Sequence, residues 1–316
     1  MSQYLLQLML VRGIGEKAIK KILQYVHDSG KSLQSLCESP EMIESVLGKR
    51  INTQIIIKGI MDNATIARDL GMHLETEGVK IFTEYDASYP ASLKECLRND
   101  CPPVLFVKGN EQLLSTLSVG FCGSRKVSEK GEYITEQCAK QLVEHGITVV
   151  SGYASGTDLV AHSSALRNNG NTIFVLAEGI LNYKIKQQIK PFIKASNYVF
   201  VSQFLPTSQW NVGNAMRRNS LIIGLSSAMI LVEAGRTGGT FAAGETTLRF
   251  QKPLYVIDFE KPEVSAEANP YFIERGGNPI RGIDGIPNLR KLFLELNNRT
   301  ENSTIEQLRI DAFLHT

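Results

Sequence analysis

Cysteine is scarce in this 316-residue sequence, which has five, none of them in a CxxC pair. Disulfide scaffolds and zinc ribbons need more thiols at closer spacing, so we predict neither a disulfide framework nor a metal site and expect a reducing compartment. Long apolar runs are also missing, and the short apolar N-terminus lacks the basic region and cleavage site of a secretory signal. We therefore expect a cytoplasmic protein that makes no membrane contact.

Charge of one sign is not in excess either. The sequence has 34 basic and 32 acidic residues, which leaves a net charge of only +2. A global electrostatic field would therefore not attract nucleic acid to this chain. A nucleic-acid partner would have to be held by a local basic patch.

The standard fingerprints of several enzyme classes are absent. Neither GxxxxGK[ST] nor GxSxG occurs, which argues against a P-loop ATPase and a serine hydrolase. One GxGxxA string runs from Gly13 to Ala18, but it follows a helical pattern rather than a strand, so it fails as a dinucleotide site. It predicts instead a tight turn between two helices, which is either a purely structural connection or a hairpin that presents N–H groups to DNA phosphate. We predict no cofactor.

What the sequence does contain is the pattern of an α/β protein. Helical spacing dominates before residue 110, and near-continuous apolar strands alternate with helices after residue 117. This pattern predicts an α/β domain with a doubly wound parallel sheet, preceded by a small helical domain. The predicted division is a helical N-terminal domain with a connecting segment (1–110), a Rossmann-like domain (111–286) and a short C-terminal tail (287–316). The predicted strands are Ser118–Cys122, Thr148–Ser151, Thr172–Leu176, Tyr198–Val201, Ala228–Val232 and Leu254–Ile257, and the helices between them Glu129–Glu144, Asp158–Arg167, Tyr183–Lys194 and Gly239–Phe250.

The turn after the first of these strands has the composition of a phosphate site. Ligands of open parallel sheets bind beyond the carboxyl ends of the strands. Gly123 permits close approach of a ligand, Ser124 offers a hydroxyl, and Arg125 and Lys126 offer positive charge before a helix N-terminus. The alternative is a plain strand-to-helix turn with solvated cations.

The turn after the second strand is also rich in glycine. Asp158 is placed to cap the next helix, and His162 follows one turn later on the same face. Taken alone, His162 is better interpreted as a packed side chain. The candidate ligand-binding residues of this turn are Gly152, Ser155, Gly156, Thr157, Asp158 and His162.

A third glycine-rich turn precedes the helix that begins near Gly239. Arg236, Gly238, Gly239 and Thr240 suit an anion there, whereas a flexible loop is the structural alternative.

A basic pair lies upstream of this turn. Arg217, Arg218 and Asn219 precede an apolar helix-like run. They form either a clamp on a phosphodiester backbone or an exposed charged helix start.

These turns, in this order, resemble the DprA (Smf) family of DNA-processing proteins. Each motif is modest alone, but together they stand in register over most of the chain. The motifs are Gly13-Ile14-Gly15, Tyr89-Pro90, Pro103 to Asn110, Gly123-Ser124-Arg125, Ser151 to Asp158 with His162, Val232-Glu233-Ala234 with Gly238-Gly239-Thr240, and Gly277 to Arg281.

The resemblance implies a Rossmann-like domain that binds single-stranded DNA, usually as a homodimer, and that is not an enzyme. Members of the family protect incoming strands during natural transformation and help to load the RecA recombinase. DprA-like proteins also occur beside toxins in phage-defence loci, where they act as antitoxin or DNA sensor. The expected partners are therefore single-stranded DNA, a second copy of the chain, and a RecA-type recombinase or a cognate toxin.

The sequence departs from the family pattern at several places. The family's FPxRNR-like stretch appears as Ala215 to Ser220 without the Phe, the Pro or the last Arg, and Thr157 stands where isoleucine is usual. Tyr183 is not followed by the usual proline, and we expect no winged-helix domain after Ile286. We expect the lost cation and ring to weaken or retune strand binding.

An enzymatic alternative comes from the related LOG-type phosphoribohydrolases, which share this fold. These enzymes carry a catalytic glutamate after a Gly-Gly-rich loop. Here Glu233 precedes that loop and Glu245 follows it at a spacing that is not the usual one, so an exposed helix glutamate is the simpler interpretation. A further alternative is a sensor of a nucleotide-derived small molecule.

Overall fold

The computed structural model describes residues 2–48, 52–283 and 285–298. The chain divides into two compact units, and unit 1 comprises Met1–Glu111, Leu176–Lys184 and Val199–Ala215. Unit 2 comprises Gln112–Val175, Ile185–Tyr198 and Met216–Thr316. Two late segments thus fold with the N-terminal part of the chain, and the boundaries at residues 110 and 286 stay a prediction from the sequence.

Helices predominate at the start and alternate with strands afterwards. In chain order the helices are α1 Ser2–Leu10, α2 Glu16–Ser29, α3 Leu33–Glu38, α4 Pro40–Leu47, α5 Thr53–Asp62, α6 Ala64–Thr76, α7 Ala91–Leu97, α8 Glu129–Glu144, α9 Thr157–Arg167, α10 Val212–Leu225, α11 Gly239–Arg249 and α12 Asn269–Glu274. The strands are β1 Val79–Thr83, β2 Val104–Gly109, β3 Ser118–Cys122, β4 Thr148–Ser151, β5 Thr172–Val175, β6 Tyr198–Ser202, β7 Ala228–Leu231, β8 Leu254–Ile257, β9 Asn278–Ile280, β10 Gly282–Ile283 and β11 Ile286–Pro287.

Unit 1 begins with six short helices, and side-chain caps set the starts of three of them. Ser32, Ser39 and Asn52 each accept a hydrogen bond from the backbone N–H three residues further on, at the starts of α3, α4 and α5. Such caps satisfy donors that the helix itself leaves unpaired. In the same unit β1 pairs antiparallel with β2, and β2 pairs antiparallel with β6.

Unit 2 contains the parallel sheet that the sequence predicts. Six of its strands lie in the order β5-β4-β3-β7-β8-β9, and the pairs β3–β4, β3–β7, β4–β5, β7–β8 and β8–β9 are parallel. The apolar runs of these strands are buried because helices cover the sheet. The chain runs outward from β3 in both directions, so a topological switch point lies between β3 and β7.

The helix predicted over Tyr183–Lys194 is wrong. This stretch forms turns and one short 3₁₀ segment, Lys190–Phe192. The backbone N–H of Lys186 donates to the Tyr153 hydroxyl at 2.8 Å, and its ammonium donates to the Tyr153 carbonyl at 2.8 Å. Long-range hydrogen bonds of this kind replace the local ladder of a helix, and Pro191 has no N–H to contribute to one.

Within the described residues, no helix combines the length and the apolar character needed to cross a membrane.

Candidate nucleic-acid interface

The switch point brings together the loops that follow β3 and β7. The hydroxyl of Thr240, in the first turn of α11, donates to the carbonyl of Gly123 at 2.9 Å. The predicted first and third turns are therefore neighbours at the carboxyl edge of the sheet. Crevices at this place in open α/β sheets are where ligands bind.

The loop after β4 packs against the loop after β3. Thr157 donates to the Ser124 carbonyl from its backbone N–H at 3.1 Å and from its hydroxyl at 3.2 Å. A Cβ on Gly156 would lie 2.3 Å from the Ser124 carbonyl oxygen, and one on Gly123 would lie 2.3 Å from the Thr157 hydroxyl oxygen. Both glycines are thus required by the close approach of the two loops.

Helix α10 completes this edge. The side-chain amide of Asn219 donates to the Gly239 carbonyl at 3.3 Å, and a Cβ on Gly152 would lie 1.5 Å from Nη1 of Arg218. All four predicted segments therefore meet in unit 2. We call the edge formed by residues 123–126, 152–158, 217–219 and 236–240 the rim surface.

Two helix N-termini open onto the rim surface without a side-chain cap. Gly156 is the N-cap of α9 and Gly238 is the N-cap of α11, with φ values of 72° and 95°. Helix α8 differs, because Ser128 caps it through a hydrogen bond from the Gly131 N–H. The first N–H of α9, that of Thr157, donates to the Ser124 carbonyl. The start of α11, where Gly238 and Gly239 are exposed, is therefore the terminus whose N–H groups and dipole favour an anion.

The exposed charge of the rim surface is positive. Arg125, Lys126, Arg217 and Arg236 are all exposed, as are Ser155, Gly238 and Gly239. Arg236 also lies 3.3 Å from a carboxylate oxygen of Glu267, in a pair whose arginine is 78% exposed. An ion pair this open to water holds its partners weakly.

Arg218 does not share this exposure. Only 6% of its surface is accessible, and its Nη1 lies 3.9 Å from a carboxylate oxygen of Asp158. The expectation that Arg217 and Arg218 together form an exposed clamp or helix start is therefore corrected. Helix α10 begins at Val212, so both arginines lie inside it and consecutive residues point in different directions.

His162 is fully buried. Its Nε2 donates to the carbonyl oxygen of Gly152 at 2.6 Å, and its Nδ1 lies 2.6 Å from the Thr172 hydroxyl. Burial lowers the pKa of His162 to about 4 because desolvation disfavours the imidazolium. A side chain without accessible surface does not touch a ligand at the rim surface, so His162 acts as a support for the Gly152 turn.

Asp158 also differs from the prediction. It lies inside the first turn of α9, where Gly156 occupies the N-cap position. Its carboxylate accepts hydrogen bonds from the Ser151 hydroxyl at 2.8 Å and the Ala154 N–H at 3.3 Å. Asp158 therefore closes the loop onto itself rather than capping the helix, and it directs its charge inward.

The two glutamates of the enzymatic alternative are both engaged by protein groups. Glu233 is 1% exposed and accepts hydrogen bonds from the N–H and the hydroxyl of Ser128. Glu245 is half-buried and accepts a hydrogen bond from the Tyr271 hydroxyl at 3.1 Å, which corrects the expectation that it is exposed. Both carboxylates therefore have structural partners.

Two supports of the rim surface lay outside the sequence prediction. The ammonium of Lys186 donates to the carbonyls of Tyr153 and Ala154 and lies 4.5 Å from the Tyr153 ring centroid. Asn269 is 1% exposed and bonds to the backbone of Val232, Ala234 and Ile257, where β7 and β8 end. An Asn-Pro pair at a helix start is the only sequence signal for Asn269.

A family model described as DNA recombination-mediator protein A matches residues 80–289. The chain belongs to the DNA recombination-mediator protein A family. All four segments of the rim surface lie within the matched residues.

Relatives in the family share about a quarter to a third of the aligned residues. Protein Smf of Synechocystis is 28% identical over 265 residues, which are 78% of this chain and 62% of that protein. DNA processing protein DprA of Streptococcus pneumoniae is 32% identical over 189 residues, which are 58% of this chain and 66% of that protein. The chain thus matches just under two thirds of the length of these relatives.

Solved structures of the family have the same fold. The crystal structure of DprA from Streptococcus pneumoniae superposes with a TM-score of 0.75 at 25% identity, covering 90% of this chain and 96% of that one. The structure of DNA processing protein A from Helicobacter pylori gives a TM-score of 0.56 at 21% identity, covering 71% of this chain and 97% of that one. The α/β, Rossmann-like fold predicted from the sequence is confirmed.

Proposed function

We propose that the rim surface binds single-stranded DNA and that the chain is a DNA-processing and recombination module rather than an enzyme. Single-stranded nucleic acid is held by a positively charged groove that follows the backbone, without reading base edges. The Helicobacter pylori relative has been studied for its single-stranded DNA binding mode, which supports this choice of ligand.

The observation that carries the proposal is the sorting of charge at the rim surface. Arg125, Lys126 and Arg217 are exposed, whereas the carboxylates of Asp158 and Glu233 are buried and bonded inward. A polyanion approaching these loops meets the three exposed cations and the uncapped start of α11, while these two carboxylates are turned away from it. This local arrangement compensates for a net charge of only +2.

The test is the affinity for fluorescein-labelled oligo(dT), measured by anisotropy at about 50 and about 200 mM salt. We expect affinity to fall as salt rises, because each neutralised phosphate releases counterions with a slope of about −0.7 for single strands. Arg125→Ala and Lys126→Ala should each weaken binding about fivefold at about 0.1 M salt and reduce that slope by about 0.7. Binding that is absent or indifferent to salt would overturn the proposal.

Arg249→Ala is the matched control. Arg249 is exposed and lies at the last turn of α11, whereas the Gly238 N-cap at the rim surface begins that helix. Arg249→Ala changes the net charge by the same amount as Arg125→Ala. Residue 249, however, lies about 16 Å from the Gly238 N-cap along the axis of α11. We expect little change in oligo(dT) affinity. A loss equal to that of Arg125→Ala would mean that net charge, not the rim surface, determines binding.

The finer role of the module belongs to the same proposal. Strand protection and recombinase loading by a homodimer is one role, and DNA sensing as the antitoxin partner of a phage-defence toxin is the other. Protection of oligo(dT) from a nuclease, together with faster strand assembly by a RecA-type recombinase, would support the first. Neutralisation of a toxin encoded beside this gene would support the second.

The nucleotide-based alternatives make a different prediction. A phosphoribohydrolase would release free base from a nucleoside monophosphate, and Glu245→Gln would abolish that release. A nucleotide sensor would co-purify with its ligand, which mass spectrometry detects. The hydrogen bonds that engage Glu233 and Glu245 favour the DNA proposal over the enzyme.

A further inference from the structure

We infer that the two consecutive arginines of α10 have different roles, with Arg217 contacting the strand and Arg218 acting as a positioning residue for the Gly152 turn. The inference rests on the proposed function and gives the two arginines different roles in strand binding. It assigns to Arg218 an action through the loop after β4 rather than through contact with DNA.

Burial separates the two side chains. Arg217 is exposed, whereas Arg218 is 6% exposed and packs onto Gly152. Adjacent residues of a helix point about 100° apart, so α10 cannot present both to one strand. An arginine that lies beneath a loop does not reach a phosphate that the loop's outer face binds.

The packing on Gly152 is closer than any side chain at that position would allow. A Cβ there would lie 1.5 Å from Nη1 and 2.4 Å from Cζ of Arg218, and 2.4 Å from a carboxylate oxygen of Asp158. Real Cβ atoms do not approach other atoms this closely, so the guanidinium occupies the space that glycine leaves open. The position of Arg218 and the absence of a side chain at residue 152 are thus one structural feature.

Hydrogen bonds transmit this packing to the rest of the turn. Asp158, which lies 3.9 Å from Arg218, accepts bonds from the Ser151 hydroxyl and the Ala154 N–H. His162 donates to the Gly152 carbonyl. The turn is therefore held at several points of its backbone, and Arg218 supplies the positive charge beside the buried carboxylate.

Salt dependence distinguishes a contact from a positioning residue. A cation that neutralises a phosphate adds about 0.7 to the magnitude of the slope of log K against log salt, and a cation that acts through a loop adds none. We therefore compare Arg217→Ala and Arg218→Ala by oligo(dT) anisotropy across a salt series. Circular dichroism melting of each variant separates loss of the fold from loss of binding.

The expected results differ in slope and in size. Arg217→Ala should weaken binding about fivefold at about 0.1 M salt and reduce the slope by about 0.7. Arg218→Ala should weaken binding about tenfold, which is a loss of about 1.4 kcal/mol in binding free energy. The slope of log K against log salt should stay unchanged. Arg218→Lys keeps the charge but not the planar fork, and it should restore only part of the affinity.

A second-site experiment tests the link to Gly152 directly. Gly152→Ala should displace the guanidinium and weaken binding, and the double variant with Arg218→Ala should lose less than the product of the two single losses. Additive losses would overturn the positioning role, and so would a reduced salt slope in Arg218→Ala. Failure of the proposed function is distinguishable, because the parent protein itself would then not bind oligo(dT).

Discussion

The chain contains two kinds of glycine-rich turn before a helix, and they need glycine for different reasons. In the N-terminal turn, Gly13 has a φ of 97°, yet a Cβ on Gly13 or Gly15 would meet no atom within 4 Å. At the rim surface, a Cβ on Gly123, Gly152 or Gly156 would lie within 2.5 Å of a neighbouring loop or side chain. In the first turn glycine is required by the conformation of its own backbone, as it is at Gly238 in the third rim turn, whereas the first two rim turns need glycine because neighbouring segments approach so closely.

Among substitutions that test this difference between the turns, Gly156→Ala should cause the largest loss of stability. Its φ is 72°, and the atoms that a Cβ would meet are the backbone carbonyl of Ser124, at 2.3 Å, and the backbone of Arg125. Backbone atoms cannot move aside as a flexible side chain can. Gly156→Ala therefore combines a strained positive φ with a steric clash against the backbone of Ser124 and Arg125. We expect the free energy of unfolding to fall by about 3 kcal/mol or more, measured by urea denaturation, and oligo(dT) affinity to fall with it.

Gly15→Ala is the control for that variant. Gly15 is the N-cap of α2 with φ −96°, in open space, so the same chemical change meets neither strain nor collision. Alanine is a poorer N-cap than glycine, so we expect a loss of about 0.5 kcal/mol. Equal losses in the two variants would show that the rim turns are no more constrained than the N-terminal turn.

A second effect sharpens the comparison through pH. The rim turn at Gly152 is held by a buried imidazole, whereas backbone bonds such as Ile14 N–H to the Val11 carbonyl hold the N-terminal turn. Burial lowers the pKa of His162 from 6.5 to about 4. The unfolded chain therefore binds a proton that the folded one does not as pH falls from 6.5 towards 4. Stability is fully present above pH 6.5 and is lost on acidification.

The measurement is urea unfolding of the parent and His162→Gln at pH 7 and pH 5. His162 alone should reduce the stability of the parent by about 2 kcal/mol between these values. Glutamine does not titrate and keeps an N–H that can donate to Gly152, so the variant should lose about 2 kcal/mol less than the parent over the same interval. Identical acid sensitivity in both proteins would contradict the assignment.

The sequence was enough to locate the strands and the order of the glycine turns, because apolar runs and glycine-rich turn residues are local patterns in the sequence. The strand at Leu254–Ile257 and the helix at Glu129–Glu144 have the predicted bounds. The roles of Arg217 and Arg218 were not accessible in this way. They depend on where α10 begins and on what lies over it, and two adjacent arginines look alike in one dimension.

The same limit explains the failed helix between residues 183 and 194. Lys186 bonds to Tyr153, 33 positions earlier in the chain, and no local pattern records a partner at that distance. Buried polar side chains such as Asn269 are invisible for the same reason, since they satisfy backbone groups of strands that are distant in sequence. Local pattern thus located the turns that meet at this edge of the sheet, and tertiary contact determined which of their side chains face outward.

The smallest expected effect has the opposite sign and lies in the helical region. Gly71 is inside α6, and a Cβ there would lie 3.8 Å from Cδ1 of Leu6, an ordinary contact. Gly71→Ala should stabilise the protein by about 0.5–1 kcal/mol, because alanine loses less backbone entropy in a helix and adds a methyl group against α1.

Gly78→Ala is the partner experiment in the same region. Gly78 follows α6 with a φ of 66°, and no atom lies within 4 Å of a Cβ there, so strain acts there without collision. We expect a loss of about 1 kcal/mol in urea denaturation. We expect the free energy of unfolding to rise in Gly71→Ala, to fall in Gly78→Ala and to fall much further in Gly156→Ala. That order would separate three effects of one added methyl group, which are helix propensity, backbone strain and packing of one loop on another. If Gly156→Ala costs no more than Gly78→Ala, backbone conformation alone explains the glycine at position 156, and the close approach of the rim loops adds no cost there.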